Sequence, residues 1–407
     1  MQYRNGISIL GLGCMRFPPM GGEAERMIVS AVENGVNFFD TAYIYPGSEK
    51  TLGAALAKHN LREKVLVATK LPISMCKRYE DFDRFFDEQL RRLQTDYIDY
   101  YFIHNISNMP QWQFMLDLGI EKWLAEKKAM GAIRQVGFSY HGSGEEFPRV
   151  LDSYAWEFCM IQYNYYDENY QAGRKGLQAA AAKGLTVIIM EPLLGGKLAT
   201  GLPKKAAEIF REANNASANV SVNEVTGENS TTDSEGAATY TDEKKPAEWA
   251  LQWLWNHPEI TCALSGTSSV KYLEENIASA QRFAPLTPAE QAVYPRVIAE
   301  FHKSFKIKCT GCNYCLPCPV GIDIPTRLSA YNARYAQGRI TGMMMYMTSM
   351  GAVSRNPISI HLCNGCGACE KKCPQGLEIR KELKRVGRKY ENFFMRGIIR
   401  VLRFFMR

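Results

Sequence analysis

Short apolar runs rich in β-branched and aromatic residues alternate with longer amphipathic stretches through the first ~285 residues. This alternation is typical of repeated βα units. The pattern predicts eight strands, at Ile9–Gly13, Val36–Asp40, Val65–Lys70, Tyr97–Ile103, Ala132–Phe138, Phe158–Gln162, Thr186–Met190 and Thr261–Leu264. Because eight such units suit a closed barrel better than an open sheet, we predict an α/β fold, a (β/α)8 TIM barrel over residues 1–285.

One segment of the predicted barrel breaks the alternation. Residues 212–245 are rich in Asn, Ser, Thr, Glu and Gly and contain a single aromatic residue, Tyr240. A segment of this composition buries too little apolar surface to offset the entropy that it loses on ordering. We therefore expect a disordered surface insertion there.

Eight of the twelve cysteines lie in two short runs, each ending in Cys-Pro: Cys309, Cys312, Cys315, Cys318 and Cys363, Cys366, Cys369, Cys373. In bacterial ferredoxins three cysteines at this spacing bind one [4Fe–4S] cluster, and the fourth binds the other. This rule assigns the first cluster to Cys309, Cys312, Cys315 and Cys373. It assigns the second cluster to Cys318, Cys363, Cys366 and Cys369. The second run has the bacterial spacing, whereas the first is one residue shorter before its fourth cysteine.

Two zinc sites, each with four cysteine ligands, are the alternative interpretation of these runs. Zinc requires only Cys-x-x-Cys pairs, so it leaves the third cysteine at the same spacing and the Cys-Pro endings unexplained. We therefore predict a small, mostly helical ferredoxin-like domain with two [4Fe–4S] clusters over residues 286–389. Between the cysteine runs, residues 324–351 have a helical pattern.

The remaining cysteines are scattered singly, at Cys14, Cys76, Cys159 and Cys262. Isolated thiols of this kind are mostly buried and free. Free thiols together with thiolate-bound clusters favour a reducing, cytoplasmic location. In agreement, the first ten residues lack the apolar core of a signal peptide, and no uncharged apolar run reaches the ~18 residues of a membrane span.

The formal net charge of +7 is concentrated at the C-terminus, because residues 375–407 hold ten Lys/Arg and three Glu. The rest of the chain is balanced, which argues against nucleic acid as a partner. Within this tail, residues 390–407 have the pattern of a basic amphipathic helix. Docking of this helix on the chain's own body or at a subunit interface is the favoured interpretation, and contact with an anionic membrane surface is the alternative.

Polar residues follow three consecutive predicted strands at the carboxyl end, where TIM barrels carry their chemistry. They are Asp40, Lys70 and His104, with Tyr45 five residues after Asp40. Reduction of a carbonyl by hydride transfer leaves an alkoxide that needs a proton, and a tyrosine acidified by a neighbouring ammonium can supply it. In this interpretation Lys70 acidifies Tyr45, Asp40 pairs with Lys70, and His104 donates a hydrogen bond to the carbonyl.

These residues stand in the runs Phe-Phe-Asp40-Thr-Ala-Tyr-Ile-Tyr45, Ala-Thr-Lys70-Leu-Pro and Tyr-Phe-Ile-His104, which resemble the aldo-keto reductase family. The resemblance covers most of residues 1–285. It implies a small carbonyl substrate and NADPH or NADH bound in extended form across the barrel mouth. It further implies that Ser139 and Gln162 hold the carboxamide. It also implies that the pyrophosphate–adenosine side of the cofactor is bound by Ser265, Gly266, Thr267 and Ser268. The adenine would be bound by Glu275 and Asn276.

The chain departs from this family pattern at three positions. Tyr140-His141 replaces the usual Asn after the serine, and Met190 stands where the family often stacks a tyrosine on the nicotinamide. Tyr272, beside Lys271, stands where an arginine commonly grips the 2′-phosphate. Because this position offers no arginine guanidinium to bind the 2′-phosphate with two hydrogen bonds, the choice between NADPH and NADH stays open.

The whole chain resembles the ferredoxin-fused subgroup of aldo-keto reductases. One hypothesis is an oxidoreductase whose clusters exchange electrons with a ferredoxin-type partner. The alternative is an electron-transfer or redox-sensing protein whose barrel binds nicotinamide with little turnover. A third hypothesis is that the clusters are structural, because a domain of this size with few apolar strands needs them to fold.

Overall fold

The computed structural model describes residues 1–18, 22–225, 243–350 and 358–392. The chain forms two compact units. The first comprises Met1–Leu193 and Ala247–Leu286, and the second comprises Leu194–Pro246 and Thr287–Arg407. Within the described residues, no helix has the length and apolar composition that crossing a bilayer requires.

The first unit is a closed barrel preceded by a short antiparallel hairpin, β1 (Tyr3–Arg4) and β2 (Ile7–Ser8). Parallel strands β3 to β10 follow one another around the barrel, and β10 pairs with β3 to close it. Their bounds are Leu10–Gly13, Phe38–Asp40, Leu66–Leu71, Ile98–Ile106, Ile133–Tyr140, Phe158–Gln162, Thr186–Met190 and Cys262–Ser265. The predicted (β/α)8 barrel of eight strands is confirmed.

Sixteen α-helices, α1 to α16, lie in the described part of the chain. The helices of the first unit are α1 to α7, α9 and α10, and those of the second unit are α8 and α11 to α16. In chain order the bounds are Glu23–Glu33, Ser48–Lys58, Glu80–Leu93, Met109–Asp117, Ile120–Ala129, Phe147–Leu151, Gly173–Ala182, Lys204–Val225, Pro246–Trp255, Val270–Gln281, Pro288–Gln291, Val293–Ser304, Ile324–Ala336, Arg339–Ser349, Ala368–Lys371 and Ile379–Tyr390.

Apolar side chains from neighbouring strands pack together in the barrel core. Phe102 of β6 meets Phe158 of β8 edge to face, with ring centroids 4.6 Å apart. Between them, β7 carries Gly137, where a Cβ atom would lie 2.3 Å from the carbonyl oxygen of Phe158. A residue without a side chain is therefore required at this point for β7 and β8 to approach each other.

Strand β6 extends three residues beyond its predicted end at Ile103 and contains an irregularity there. Its register with β7 shifts between Ile103 and Ile106, and Asn105 has a left-handed backbone with φ of 62°. Bulges of this kind re-aim neighbouring side chains and are common beside active sites. His104 lies within the irregular stretch.

The second unit differs from the predicted domain division, which counts residues 194–246 as part of the barrel. Helix α8 packs on α12 instead, where the Phe210 and Tyr294 rings are 6.4 Å apart and Glu212 pairs with Arg296 at 2.9 Å. This packing groups the segment with the C-terminal residues.

Part of the expected disordered insertion is helical. Helix α8 continues to Val225, so residues 212–225 are helical, contrary to the expectation of disorder from residue 212. Alanines in this stretch favour a helix, and α8 extends through them. Residues 226–242 of the predicted insertion lie outside the described residues.

The single helix predicted over residues 324–351 is two helices, α13 and α14, that meet at Gly338. Gly338 has φ of 114°, a conformation that ends a helix and that only glycine adopts without strain. The core of the unit comprises residues of α13, α14 and α16, and six of the eight clustered cysteines pack against it. Of the predicted C-terminal helix, residues 393–407 lie outside the described residues.

Candidate active site and cysteine sites

Asp40 and Lys70 form a buried ion pair at the carboxyl ends of β4 and β5. Lys70 is 1% exposed, and its Nζ also donates to the Thr41 carbonyl oxygen at 2.7 Å. Burial lowers the pKa of Lys70, and the carboxylate of Asp40 opposes that shift. Burial raises the pKa of Asp40, and Lys70 opposes it in turn. The pairing therefore keeps an ammonium in a place where desolvation alone would remove its charge.

Tyr45 lies in the loop after β4, where its backbone N–H donates to the Ala42 carbonyl oxygen at 3.0 Å. The Nζ of Lys70 is 5.2 Å from the centre of the Tyr45 ring. The His104 ring stands edge-on to Tyr45, with the two centroids 6.1 Å apart. The structure thus brings together all four residues of the predicted tetrad at the mouth of the barrel.

His104 is 4% exposed at the irregular end of β6. Burial holds the pKa of His104 well below its ordinary value, and the nearby Lys70 and His141 lower it further. The imidazole is therefore neutral at physiological pH, so it carries one N–H and no charge. A neutral imidazole beside a tyrosine can donate a hydrogen bond to a carbonyl oxygen without competing with the tyrosine for its proton.

A buried polar network below Lys70 escaped the sequence analysis. Gln89 of α3 donates to the Lys70 carbonyl oxygen at 3.0 Å and to Glu49 Oε1 at 2.9 Å. Glu49 also accepts from Thr69 at 2.6 Å and pairs with Arg92 at 3.0 Å. These contacts fix the strand that carries Lys70. The sequence signal for this network is a glutamine among the mostly apolar residues that α3 buries.

Cys14 also went unnoticed as a neighbour of the site. The thiol is fully buried, and its Sγ is 3.5 Å from the Leu12 carbonyl oxygen. Burial, with the nearby Asp40 adding to the effect, raises the pKa of Cys14 well above its ordinary value. A thiol kept protonated in this way fills space beside the ion pair and is not a nucleophile.

Ser139 and Gln162, the predicted carboxamide ligands, are each 1% exposed at the ends of β7 and β8. Ser139 Oγ accepts from the backbone N–H of Asn105 at 2.7 Å. Both amide atoms of Gln162, Nε2 and Oε1, are buried and have no hydrogen-bond partner among the described residues. An unpaired buried polar group costs about 1–3 kcal/mol. The Nε2 donor and the Oε1 acceptor of Gln162 can pair with the oxygen and the amino group of a carboxamide.

The predicted pyrophosphate and adenine residues lie around the junction of β10 and α10. Ser265 ends β10, and its Oγ accepts from the side-chain amide of Asn276 at 2.8 Å. Thr267 is buried, whereas Gly266 and Ser268 are exposed and Glu275 is half-buried. Ser269 caps α10, its side chain accepting from the backbone N–H of Tyr272 at 3.3 Å. The helix therefore begins beside these residues with its positive end, which favours an anion there.

The three departures from the family pattern are visible in the structure. Tyr140 Oη donates to the Ser143 carbonyl oxygen at 2.5 Å, and His141 is held neutral by burial, which lowers its pKa to about 4. Met190 ends β9 and packs against the barrel core. Tyr272 is 48% exposed, so no guanidinium occupies that place in α10.

The cysteines of the two runs surround two cavities, and each cavity draws on both runs. The first cavity is lined by Cys309, Cys312 and Cys315 of the first run and Cys373 of the second. The second cavity is lined by Cys318 of the first run and Cys363, Cys366 and Cys369 of the second. Cys315 lines both cavities. This grouping matches the crossed pattern predicted from the spacing.

The donor set around each cavity is cysteine sulfur from both runs, which is the ligand that iron–sulfur clusters take. Over the residues that the structure describes, no three His, Cys, Asp or Glu side chains are placed to share one metal ion. Gly365 and Gly367, with φ of 72° and 73°, let the chain turn between successive cysteines.

The sequence matches two known families in succession. Residues 10–293 match the aldo/keto reductase family. Residues 308–379 match the 4Fe-4S dicluster domain. The predicted fusion of a reductase barrel with an iron–sulfur domain is therefore confirmed.

Among curated proteins, L-galactose dehydrogenase of Arabidopsis thaliana is 30% identical over 290 residues, which cover 67% of this chain and 83% of the relative. The aldo-keto reductase yakc [NADP(+)] of Schizosaccharomyces pombe is 25% identical, with 67% of this chain and 84% of the relative covered. Among solved structures, the holo form of the aldo-keto reductase AKR11C1 of Bacillus halodurans superposes with a TM-score of 0.55 at 24% identity. That match covers 72% of this chain and 92% of the other, and it supports the barrel fold.

Proposed function

Because the chain belongs to the aldo/keto reductase family, an oxidoreductase family, we propose that it reduces a small aldehyde or ketone, or catalyses the reverse oxidation, with Tyr45 as the general acid. The observation that carries the proposal is the gathering of Asp40, Tyr45, Lys70 and His104 at one barrel mouth. A reduced nicotinamide, when bound, supplies the hydride.

Tyr45 gives its proton to the oxygen of the substrate as the carbonyl carbon is reduced. The phenolate that remains is stabilised by the ammonium of Lys70, which is 5.2 Å from the ring centre in a site from which water is largely excluded. Asp40 keeps Lys70 charged, and the Thr41 carbonyl oxygen orients it. Asp40 is therefore a positioning residue rather than a proton donor.

His104 orients the carbonyl. Its neutral imidazole donates a hydrogen bond to the substrate oxygen, and the edge-on contact with Tyr45 directs that oxygen toward the phenol hydroxyl. Holding the reacting atoms in this geometry lowers the entropic part of the barrier. A protonated His104 would compete with Tyr45 as the acid, and burial prevents this.

Gln162 and Ser139 are proposed to bind the carboxamide of the nicotinamide, and the Ser265–Ser268 segment and α10 the phosphates. The open amide of Gln162 and the positive end of α10 support this assignment. The relative named for NADP(+) supports NADPH as a donor. Since Tyr272 offers no guanidinium fork for a 2′-phosphate, we propose that the enzyme also accepts NADH.

Replacement of the open amide tests the cofactor assignment. Gln162→Leu is expected to raise the Kd for NADPH and NADH about tenfold, since a carboxamide hydrogen-bond pair is lost. The same change removes unpaired buried polar atoms, so the thermal midpoint of the cofactor-free protein should not fall. Fluorescence titration and calorimetry measure the two quantities. The control is Gln135→Leu near the start of β7, which should leave Kd unchanged. Equal Kd values for Gln162→Leu and wild type would remove this ligand from the proposal.

The eight clustered cysteines are proposed to hold two [4Fe–4S] clusters with crossed ligation. The two cavities, each of which draws its cysteines from both runs, support this. Such clusters would supply single-electron chemistry toward a ferredoxin-type partner, and ligation from both runs would help to hold the fold of this unit together. A reducing, cytoplasmic location is part of this proposal, because thiolate-bound clusters and isolated thiols favour it.

The carbonyl-reductase proposal is tested by anaerobic stopped-flow. Cluster-loaded protein is mixed with NADPH or NADH and a panel of aldehydes and ketones, and the loss of nicotinamide absorbance is followed. At least one carbonyl should accelerate that loss and yield an equal amount of alcohol. A loaded protein that binds the cofactor but oxidises it at the same rate with and without every carbonyl would contradict the proposal.

A further inference from the structure

The two cysteine cavities differ in the charges around them. Apart from the thiols, no ionisable side chain of the described residues lines the first cavity. The second cavity is lined by Lys372 and Arg380. An iron–sulfur cluster becomes more negative when it takes up an electron, so nearby cations favour the reduced state. A cluster in the second cavity would therefore be the easier of the two to reduce.

The second cavity also has the most exposed of the clustered cysteines among its lining residues. Cys366 is exposed, whereas the other seven clustered cysteines are only partly exposed. Leu362, directly before Cys363, is 53% exposed. An exposed thiol ligand next to an exposed apolar side chain offers a short route between a docked protein and the cluster edge.

Four cations that we call the basic rim lie on α15, α16 and the loop between them: Lys371, Lys372, Arg380 and Lys384. Arg380 braces the cysteine loop, pairing with Glu370 at 2.7 Å and donating to the Gly365 carbonyl oxygen at 3.2 Å. Lys384 stands one helical turn after Arg380 and so extends the same side of α16.

The lysines of the basic rim carry uncompensated charge. Lys371, Lys372 and Lys384 are exposed. Within the described ranges none of the three makes an ion pair, whereas Arg380 is paired with Glu370. Three unpaired ammonium groups on these neighbouring elements, one of which lines the cavity together with the exposed Cys366, attract a negatively charged surface.

From these observations we propose that the second cavity is where the iron–sulfur unit exchanges electrons with an acidic one-electron carrier protein, which docks over the basic rim. The inference rests on the proposed cluster ligation. A cluster in the second cavity would be held by Cys318, Cys363, Cys366 and Cys369 and would supply the acceptor for one electron, while the reduced carrier would be oxidised by one electron. No bond is made or broken and no proton moves. Cys315, which lines both cavities, connects this cluster with the first one.

Charge complementarity identifies the partner as an acidic protein. Electron-transfer complexes are small and transient, and opposite charges steer their encounter. A nucleic acid or an anionic membrane would also be attracted by lysines, but neither uses an exposed thiol ligand or exchanges electrons with it.

The test is charge reversal on the rim in the full-length, cluster-loaded protein. The double variant Lys371→Glu/Lys372→Glu is mixed anaerobically with a reduced acidic [2Fe–2S] ferredoxin, and cluster reduction is followed by stopped-flow absorbance. We expect the second-order rate constant to fall about tenfold or more at low salt, and its salt dependence to disappear. Photoreduced deazariboflavin, a small neutral reductant, should reduce both proteins at the same rate.

The matched control is Lys204→Glu/Lys205→Glu, another adjacent pair of exposed lysines, at the start of α8 in the same unit. It should be reduced by ferredoxin at the wild-type rate. The inference is overturned if ferredoxin fails to reduce wild-type clusters that deazariboflavin reduces, if the rim variant keeps the wild-type rate, or if the control falls equally. Iron and sulfide counts distinguish the two ways in which the experiment can fail. A chain that binds no clusters contradicts the proposed ligation, whereas a cluster-loaded chain without the rim effect contradicts only the docking site.

Discussion

Tyr45→Phe should lower kcat/KM for carbonyl reduction by about 10²–10⁴-fold, the usual contribution of a positioned general acid. The variant keeps the ring that contacts His104 and lies near Lys70, and it loses only the hydroxyl that carries the proton. The Kd for reduced nicotinamide should therefore stay unchanged. Steady-state kinetics with the best carbonyl of the panel, together with a cofactor titration, measures both quantities.

A tyrosine on the same loop provides the control. Tyr43 lies two residues before Tyr45, and its ring packs on Phe85 at 4.8 Å and under Arg92 at 4.3 Å. Tyr43→Phe should retain most of the wild-type kcat/KM, because its ring faces α3 and not the tetrad. If both variants lose activity to the same extent, the loop is merely sensitive to change and Tyr45 has no special role. If neither variant loses activity, Tyr45 is not the general acid.

Cys373→Ser should remove the cluster of the first cavity and leave the other, halving iron from about eight atoms per chain to about four. Cys373 belongs to the second run, but it lines a cavity with Cys309, Cys312 and Cys315. Crossed ligation therefore predicts that Cys373→Ser and Cys309→Ser lose the same cluster. EPR of the reduced proteins, with iron and sulfide analysis, identifies which signal survives.

Two cysteines of the second cavity and one buried cysteine of the barrel serve as the comparison variants. Cys318→Ser and Cys363→Ser should both lose the other cluster, since these two cysteines line the second cavity. Cys76→Ser, a buried cysteine of the barrel unit, should keep all the iron. Uncrossed ligation would pair the variants by run instead, so that Cys373→Ser and Cys363→Ser would leave the same EPR signal. That result would contradict the proposed ligand sets.

The hydrophobic pattern was sufficient for the barrel because strands buried on both faces, such as Phe158–Gln162 and Thr186–Met190, are short apolar runs between amphipathic helices. The tetrad could be located because the carboxyl ends of parallel strands meet at one mouth. The crossed cysteine grouping could be predicted because three thiols at this spacing share one wrapped loop.

Several tertiary contacts and local backbone irregularities could not be predicted. Gln89 reaches the Lys70 carbonyl oxygen from another element, and no local pattern marks that contact. The packing of α8 on α12 likewise depends on tertiary contacts, such as that of Phe210 with Tyr294. At Gly338 the helical periodicity of residues 324–351 continues, yet one glycine with φ of 114° ends the helix. The irregular end of β6 at Asn105 is a further case, because bulges leave little trace in composition.

The central claim is that the barrel transfers a hydride to a carbonyl carbon while Tyr45 supplies the proton. The most direct measurement is a single turnover of cluster-loaded protein with nicotinamide deuterated at the transferring position, followed by mass analysis of the alcohol. The account predicts one deuterium on the carbinol carbon, at a rate that falls at least about a hundredfold in Tyr45→Phe. An alcohol without deuterium, or an unchanged rate in Tyr45→Phe, would contradict it.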